Sequence, residues 1–114
     1  MELHEHEKDM VEDERMLKLA RSQGRHGVET ARIYATILRR RSIKPLAELR
    51  FDEAITMAER EFEFCSRAFG LTHRYSRAAQ QNLHALRMQA ESRLAELQSS
   101  VDFCFVLSAV AGGL

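Results

Sequence analysis

A chain of 114 residues holds one domain at most, and 17 Lys plus Arg against 17 Asp plus Glu leave no net charge that argues for nucleic acid. Leu, Ala, Glu and Arg dominate, with one Pro, five Gly and no Trp, so the composition predicts an all-α fold whose core comes from stacking helices on one another. The acidic N-terminus lacks the apolar run of a secretory leader, and the apolar C-terminal run, broken by Asp102, is too short to span a bilayer. No membrane association and a cytoplasmic setting are therefore expected, with Cys65 and Cys104 reduced and buried inside apolar runs.

Residues 1–9 read as a charged, flexible lead with nothing to bury. A helix is predicted from Asp9 to Gln23, with Met10, Met16, Leu17, Leu19 and Ala20 on its inward side. Gly24 supplies a positive-φ turn, and a second helix runs from Val28 to about Arg41 with Val28, Ala31, Tyr34, Ala35 and Leu38 inward. Arg39, Arg40 and Arg41 suit the C-terminal end of its dipole. Acidic residues crowd positions 1–14 and basic ones positions 15–50, an asymmetry assigned to solvated helix faces. Pro45 disfavours helix at Lys44 and fits the first position of a new helix, which makes Ser42 to Lys44 a break.

From Phe51 the pattern sharpens. Phe51, Ala54, Ile55, Ala58, Phe62, Cys65 and Phe69 form an amphipathic stripe, and Asp52, Glu59, Arg60, Glu61, Glu63 and Arg67 take the wet side. Gly70 ends this helix through a left-handed cap, and Thr72 caps the next. The following stripe is Tyr75, Ala78, Ala79, Asn82, Leu83 and Leu86, giving an antiparallel hairpin with one apolar seam.

Phe51-Asp52-Glu53-Ala54, Phe69-Gly70-Leu71-Thr72-His73 and Gln81-Asn82-Leu83 together resemble the tetratricopeptide repeats of kinesin light chain and related bacterial proteins. There a Tyr-x-Glu-Ala opening, a Leu-Gly-x-x-His turn and a Leu-Asn-Asn-Leu-Ala core stand at the same spacing. Arg74 replaces the family's Pro, and His84 replaces a small residue. Ser22-Gln23-Gly24-Arg25-His26 is similar to the Gln-Gly-Arg-Tyr turn inside such a hairpin, so residues 10–41 read as a degenerate partial repeat before a full one at 51–90. Between them the register fails. Either the helix from Pro45 runs straight into the Phe51 helix, or one hairpin arm has been deleted.

Residues 74–99 contain neither Gly nor Pro, and Ala90, Leu94 and Leu97 carry the stripe onward, so one long helix and a hairpin remain equal readings. Ser99 or Ser100 is placed to cap a last helix, Val101 to Val110, that is apolar nearly all round and must be covered by something. The expected organisation is thus a lead at 1–9, a helical hairpin domain at 10–100 and an apolar helix and tail at 101–114.

No motif supplies a nucleophile and base, a phosphate loop or a zinc site, and His4 and His6 in the lead lack ligands at helical spacing. Neither a cofactor nor a metal is expected, and no catalysis. The resemblance implies a right-handed array of stacked hairpins that binds a peptide or partner helix on a concave surface. It places Gln81, Asn82, Ala85 and Gln89 at that groove or its rim, with Lys18, Arg21 and Ser22 on the equivalent surface of the first hairpin. The alternative is a small bundle or truncated repeat fragment that self-associates, a homodimer through 101–111, with Phe103, Phe105 and Leu107 in the contact.

Overall fold

A computed structural model describes the backbone of residues 2–112 and the side chains of residues 7–100. Among these the fold is all-α: α1 spans Glu2–Ser22, α2 Gly27–Arg41, α3 Ile43–Ala47, α4 Phe51–Phe69 and α5 Arg74–Gly112, with a 3-10 turn at Gly24–His26. Backbone helix thus begins at Glu2 rather than Asp9, and α1 takes in most of the predicted lead.

α1 and α2 meet backbone to backbone. A Cβ on Gly27 would lie 1.9 Å from the carbonyl oxygen of Ala20, so only glycine permits this crossing. Gly24 turns the chain at φ +57°, as its place between two stripes requires. Leu17 and Ala20 of α1 pack on Ala31, Tyr34, Ala35 and Leu38 of α2. Met10, Leu19 and Val28, expected inside, are exposed, because the Gly27 contact narrows the seam to the residues nearest it.

The expected break at Ser42 to Lys44 closes up. Ser42 donates its hydroxyl to the Arg39 carbonyl at 2.6 Å, and α3 starts at Ile43, with Pro45 in its first turn where a missing N–H costs nothing. α3 stops after one turn in a paired C-terminal motif: Arg50 N–H donates to Pro45 O at 2.7 Å and Leu49 N–H to Leu46 O at 3.0 Å. Leu49 stands where glycine is usual, at φ +59°. The helix from Pro45 does not run straight into the Phe51 helix, since α3 is a short helix of its own and α4 begins only at Phe51.

α4 is the centre of the packing. It contacts α1 and α2 on one side and α5 on the other, with α3 at its N-terminal end. A helix sandwiched in this way buries more than one stripe, so Phe64 and Glu61 are inside along with Ala54, Ala58 and Cys65. Phe64 lies edge-on to Tyr34 with ring centroids 4.8 Å apart. Ala54 and Ala58 meet Leu83 and Leu86 of α5 under Leu46 and Ile55, and half-buried Phe62 touches both clusters.

Gly70 ends α4 at φ +90° and ψ 157°, a mirror-extended conformation rather than the expected left-handed helical one. Its carbonyl accepts the hydroxyl of buried Ser76 at 2.6 Å. His73, not Thr72, caps α5: its Nδ1 accepts the Tyr75 N–H at 3.1 Å, and its ring stacks on Phe69.

α5 is one helix of 39 residues, about 58 Å long against about 28 Å for α4. The separate capped helix expected at 101–110 is instead its continuation. Tyr75 and Asn82 are half-buried and Ala78 exposed, so the inward line narrows to Ser76, Ala79, Leu83 and Leu86. From Glu91 to Ser100 every residue is exposed.

The acidic segment is an interhelical clasp rather than a solvated face. Arg60 of α4 binds Asp13 through Nη2–Oδ1 at 2.7 Å and lies 3.5 Å from Asp9. Glu12 takes Arg41 at 3.3 Å, and Glu14 pairs with Arg67. The acidic face of α1 is thereby matched to arginines on α2 and α4.

Candidate partner-binding surface

Between α2 and α5 runs a channel floored by α4, with a cavity of about 260 Å³ lined by Arg32, Ala35, Thr36 and Arg39 of α2, Glu61 and Cys65 of α4, and Tyr75 and Ala78 of α5. The helical repeat sets its walls. Arg32, Ala35, Thr36 and Arg39 recur at three- and four-residue steps and share one flank of α2. On α5, Tyr75, Ala78, Asn82, Ala85 and Gln89 recur in the same way.

At the floor, Glu61 has a side chain only 5% exposed and is held by Arg39 through Nη2–Oε2 at 2.8 Å and Nε–Oε1 at 3.2 Å. A forked pair of this kind satisfies the carboxylate while leaving much of the guanidinium at the surface. Burial raises the Glu61 carboxyl above its ordinary range, and Arg39 only partly offsets that. Burial, and then the Glu61 charge, push the Cys65 thiol up to about 12. That thiol is therefore protonated and no nucleophile. Arg32 pairs with Glu29 on its own helix. The cavity thus has two carboxylate-paired arginines on its α2 side, Tyr75 and Ala78 on its α5 side and a small-residue bed.

The predicted residues divide between two surfaces. Asn82, Ala85 and Gln89 share the flank of α5 that carries Tyr75 and Ala78 but do not line the cavity, and Gln81 lies just outward of that line. The Asn82 Nδ2 is buried without an acceptor. Lys18 and Arg21 are exposed on α1, whose packing partners are α2 and α4. Lys18 edges a shallow hollow with Met10 and Val11, and Arg21 donates to the Arg67 carbonyl at 3.3 Å. These two do not join the α5 set, because α4 stands between α1 and α5 in the packing order. Phe103, Phe105 and Leu107 lie outside the residues whose side chains are described, as do His4 and His6.

Sequence reasoning missed the Arg39–Glu61 pair, which forms the channel floor. A signal existed: position 61 follows Ala54 by seven and precedes Cys65 by four, so it lies in the inward line despite its charge. A second hollow, about 550 Å³, opens where α5 passes the start of α4, lined by Leu49, Phe51, Ala90, Leu94 and Leu97 among others. Leu49, Leu94 and Leu97 are all exposed there.

Among the described residues no three His, Cys, Asp or Glu side chains are grouped to hold a metal ion, and no helix is long and apolar enough to cross a membrane. No family model, curated protein or solved structure matches the chain.

Proposed function

We propose that the chain is a protein-interaction module of tetratricopeptide-like build that takes an extended, acidic peptide segment in the channel between α2 and α5. The packing order supports the build: α1 on α2, α2 on α4, α4 on α5, with α1 also reaching α4, the order expected of two successive hairpins. The observation that carries the function is the cavity itself, with Arg32 and Arg39 on its α2 side and Tyr75 and Ala78 on its α5 side, on the helix flank that continues through Asn82 and Gln89. Arginines recognise carboxylates, and side-chain amides can pair with both the N–H and the C=O of an extended backbone. Asn82 stands on the same flank of α5 as Tyr75 and Ala78, which line the cavity. No catalytic step is assigned. A buried, free Cys65 suits a reducing compartment, and the cytoplasm is the proposed setting.

Selection of random peptides displayed against the immobilised full chain tests the reading. Acidic sequences should be enriched, and their binding should weaken with salt and fall at least about tenfold in Arg32→Glu or Asn82→Leu, the effect of losing one charge-assisted or backbone hydrogen bond. Enrichment of apolar helical peptides, or binding indifferent to both substitutions, would contradict it.

A further inference from the structure

The corner between α4 and α5 is tied by hydrogen bonds of two kinds, and one kind depends on a proton. Gly70 O accepts the Ser76 hydroxyl at 2.6 Å and the His73 N–H at 3.3 Å, and neither bond involves a group that titrates. A further bond runs from the Tyr75 N–H to Nδ1 of His73 at 3.1 Å. Tyr75 is the second residue of α5, so its N–H has no partner within the helix. Among the described residues it rests on His73.

Nδ1 accepts that bond only through a bare lone pair, which requires the neutral ring with its proton on Nε2. A proton on Nδ1 sets two donors against each other. Histidine is the side chain whose charge ordinarily changes between about pH 5 and 8. The charged groups on the helices around this corner are Arg21 of α1, Arg32 of α2, Arg67 of α4, and Arg74 and Arg77 of α5. Arg32 is paired with Glu29, and Arg67 with Glu14, with Glu63 one turn before it. The first turn of α5 holds no acidic residue, and its positive end opposes a cation. A charged ring here has no free carboxylate to turn to. The face of Phe69 would suit a cation, but only in the stacked position, centroids 4.9 Å apart, that aims Nδ1 at the Tyr75 N–H. The protonated ring must leave that position.

We infer that His73 is a pH-operated latch on the first turn of α5, closed while its ring is neutral and open once it is charged. Its reach is short. The Tyr75 ring lies 5.1 Å from Phe69 and 4.9 Å from His73, and Tyr75 also lines the cavity between α2 and α5. Opening the latch frees the Tyr75 backbone and removes one of the two rings packed on its side chain. The Ser76 bond stays, so α5 frays only at its start and the cavity loses its fixed α5 side. The latch works whatever the cavity holds, so it is independent of the peptide reading.

Nitrogen-15 NMR of the full chain tests both halves of this device. At about pH 8 the His73 ring should carry its proton on Nε2, leaving Nδ1 as the acceptor. The protection of the Tyr75 amide, corrected for the intrinsic pH dependence of exchange, should fall about fivefold or more between about pH 8 and pH 5, the loss of one helix cap. The amide of buried Leu83, further along α5, should not follow it. His73→Asn keeps a cap acceptor that does not titrate, so its Tyr75 amide should be equally protected at both pH values. A proton on Nδ1 at the higher pH, a Tyr75 amide indifferent to pH, a fall shared by Leu83, or one that persists in His73→Asn would each overturn the latch.

Discussion

Arg60 of α4 grips Asp13 of α1 with both ends of its guanidinium, Nη2–Oδ1 at 2.7 Å and Nε–Oδ2 at 3.0 Å, with the arginine side chain only 12% exposed. Tyr34 of α2 donates its hydroxyl to the same Oδ1, so three helices meet at one carboxylate. Burial and that bond to Asp13 raise the Tyr34 hydroxyl well above its ordinary range, and it stays protonated. Asp9, Glu12, Asp13 and Glu14 therefore hold α1 against α2 and α4.

Arg60→Leu leaves Asp13 half-buried and short of a counter-charge, and it should cost about 2–4 kcal/mol in urea unfolding. Tyr34→Phe, which removes one hydrogen bond and keeps the ring against Phe64, should cost about 1 kcal/mol. Equal effects would mean that Asp13 does not anchor the three helices together.

Phe64 and Phe62 separate the two faces of α4. Phe64 is 2% exposed, so Phe64→Ala should cost about 3–5 kcal/mol, while half-buried Phe62→Ala should cost about 2 kcal/mol. The stripe read from the sequence ranks them the other way, with Phe62 inside. That order reappearing in thermal midpoints would show α4 rotated from the placement described.

Three backbone positions give a graded test. Gly27→Ala drives a methyl into the Ala20 carbonyl and should cost about 3 kcal/mol or more, while Gly24→Ala has open space and pays only for its positive φ, about 1 kcal/mol. Leu49→Gly should lose nothing, since the strain it relieves offsets the added freedom of the unfolded chain, whereas Leu49→Val should lose about 1 kcal/mol more than leucine. A stable Gly27→Ala variant would rule out the close crossing.

Those positions also show what the residues announced. Gly24 and Gly70 lie between apolar stripes, and both turns fall where they stand. The Leu49 corner is silent, because a leucine in a glycine conformation leaves no letter to read. Glu61 is silent for a related reason: its charge argues for the surface, and only the distant Arg39 makes burial tolerable. The unbroken run after Arg74 is legible as helix-permitting, but whether it folds back is decided by tertiary packing that local sequence does not encode. The resemblance to tetratricopeptide repeats points to Asn82, Ala85 and Gln89 on one flank of α5, yet not to Arg32 and Arg39, which line the cavity and come from the partial repeat.

Glu61 predicts a pH dependence of known sign. Its carboxyl titrates above the ordinary 4.5 in the folded chain, so the folded form holds the proton more tightly than the unfolded one. Stability from this group is greatest at low pH and declines as pH rises through the window above 4.5. Glu61→Gln removes the slope. The stability of the original chain minus that of the variant should therefore fall as pH is raised through this window, then level off. A difference that grows with pH would mean that Arg39 outweighs burial.

The central claim, that the channel between α2 and α5 holds a partner, is tested most directly by amide hydrogen exchange on the full chain with and without a saturating display-selected acidic peptide. The account predicts slowed exchange in both walls, over residues 31–39 of α2 and 75–89 of α5, with α1 and the part of α5 from Glu91 onward unchanged. Protection confined to α1 or to that part of α5, or none in either wall, would contradict it.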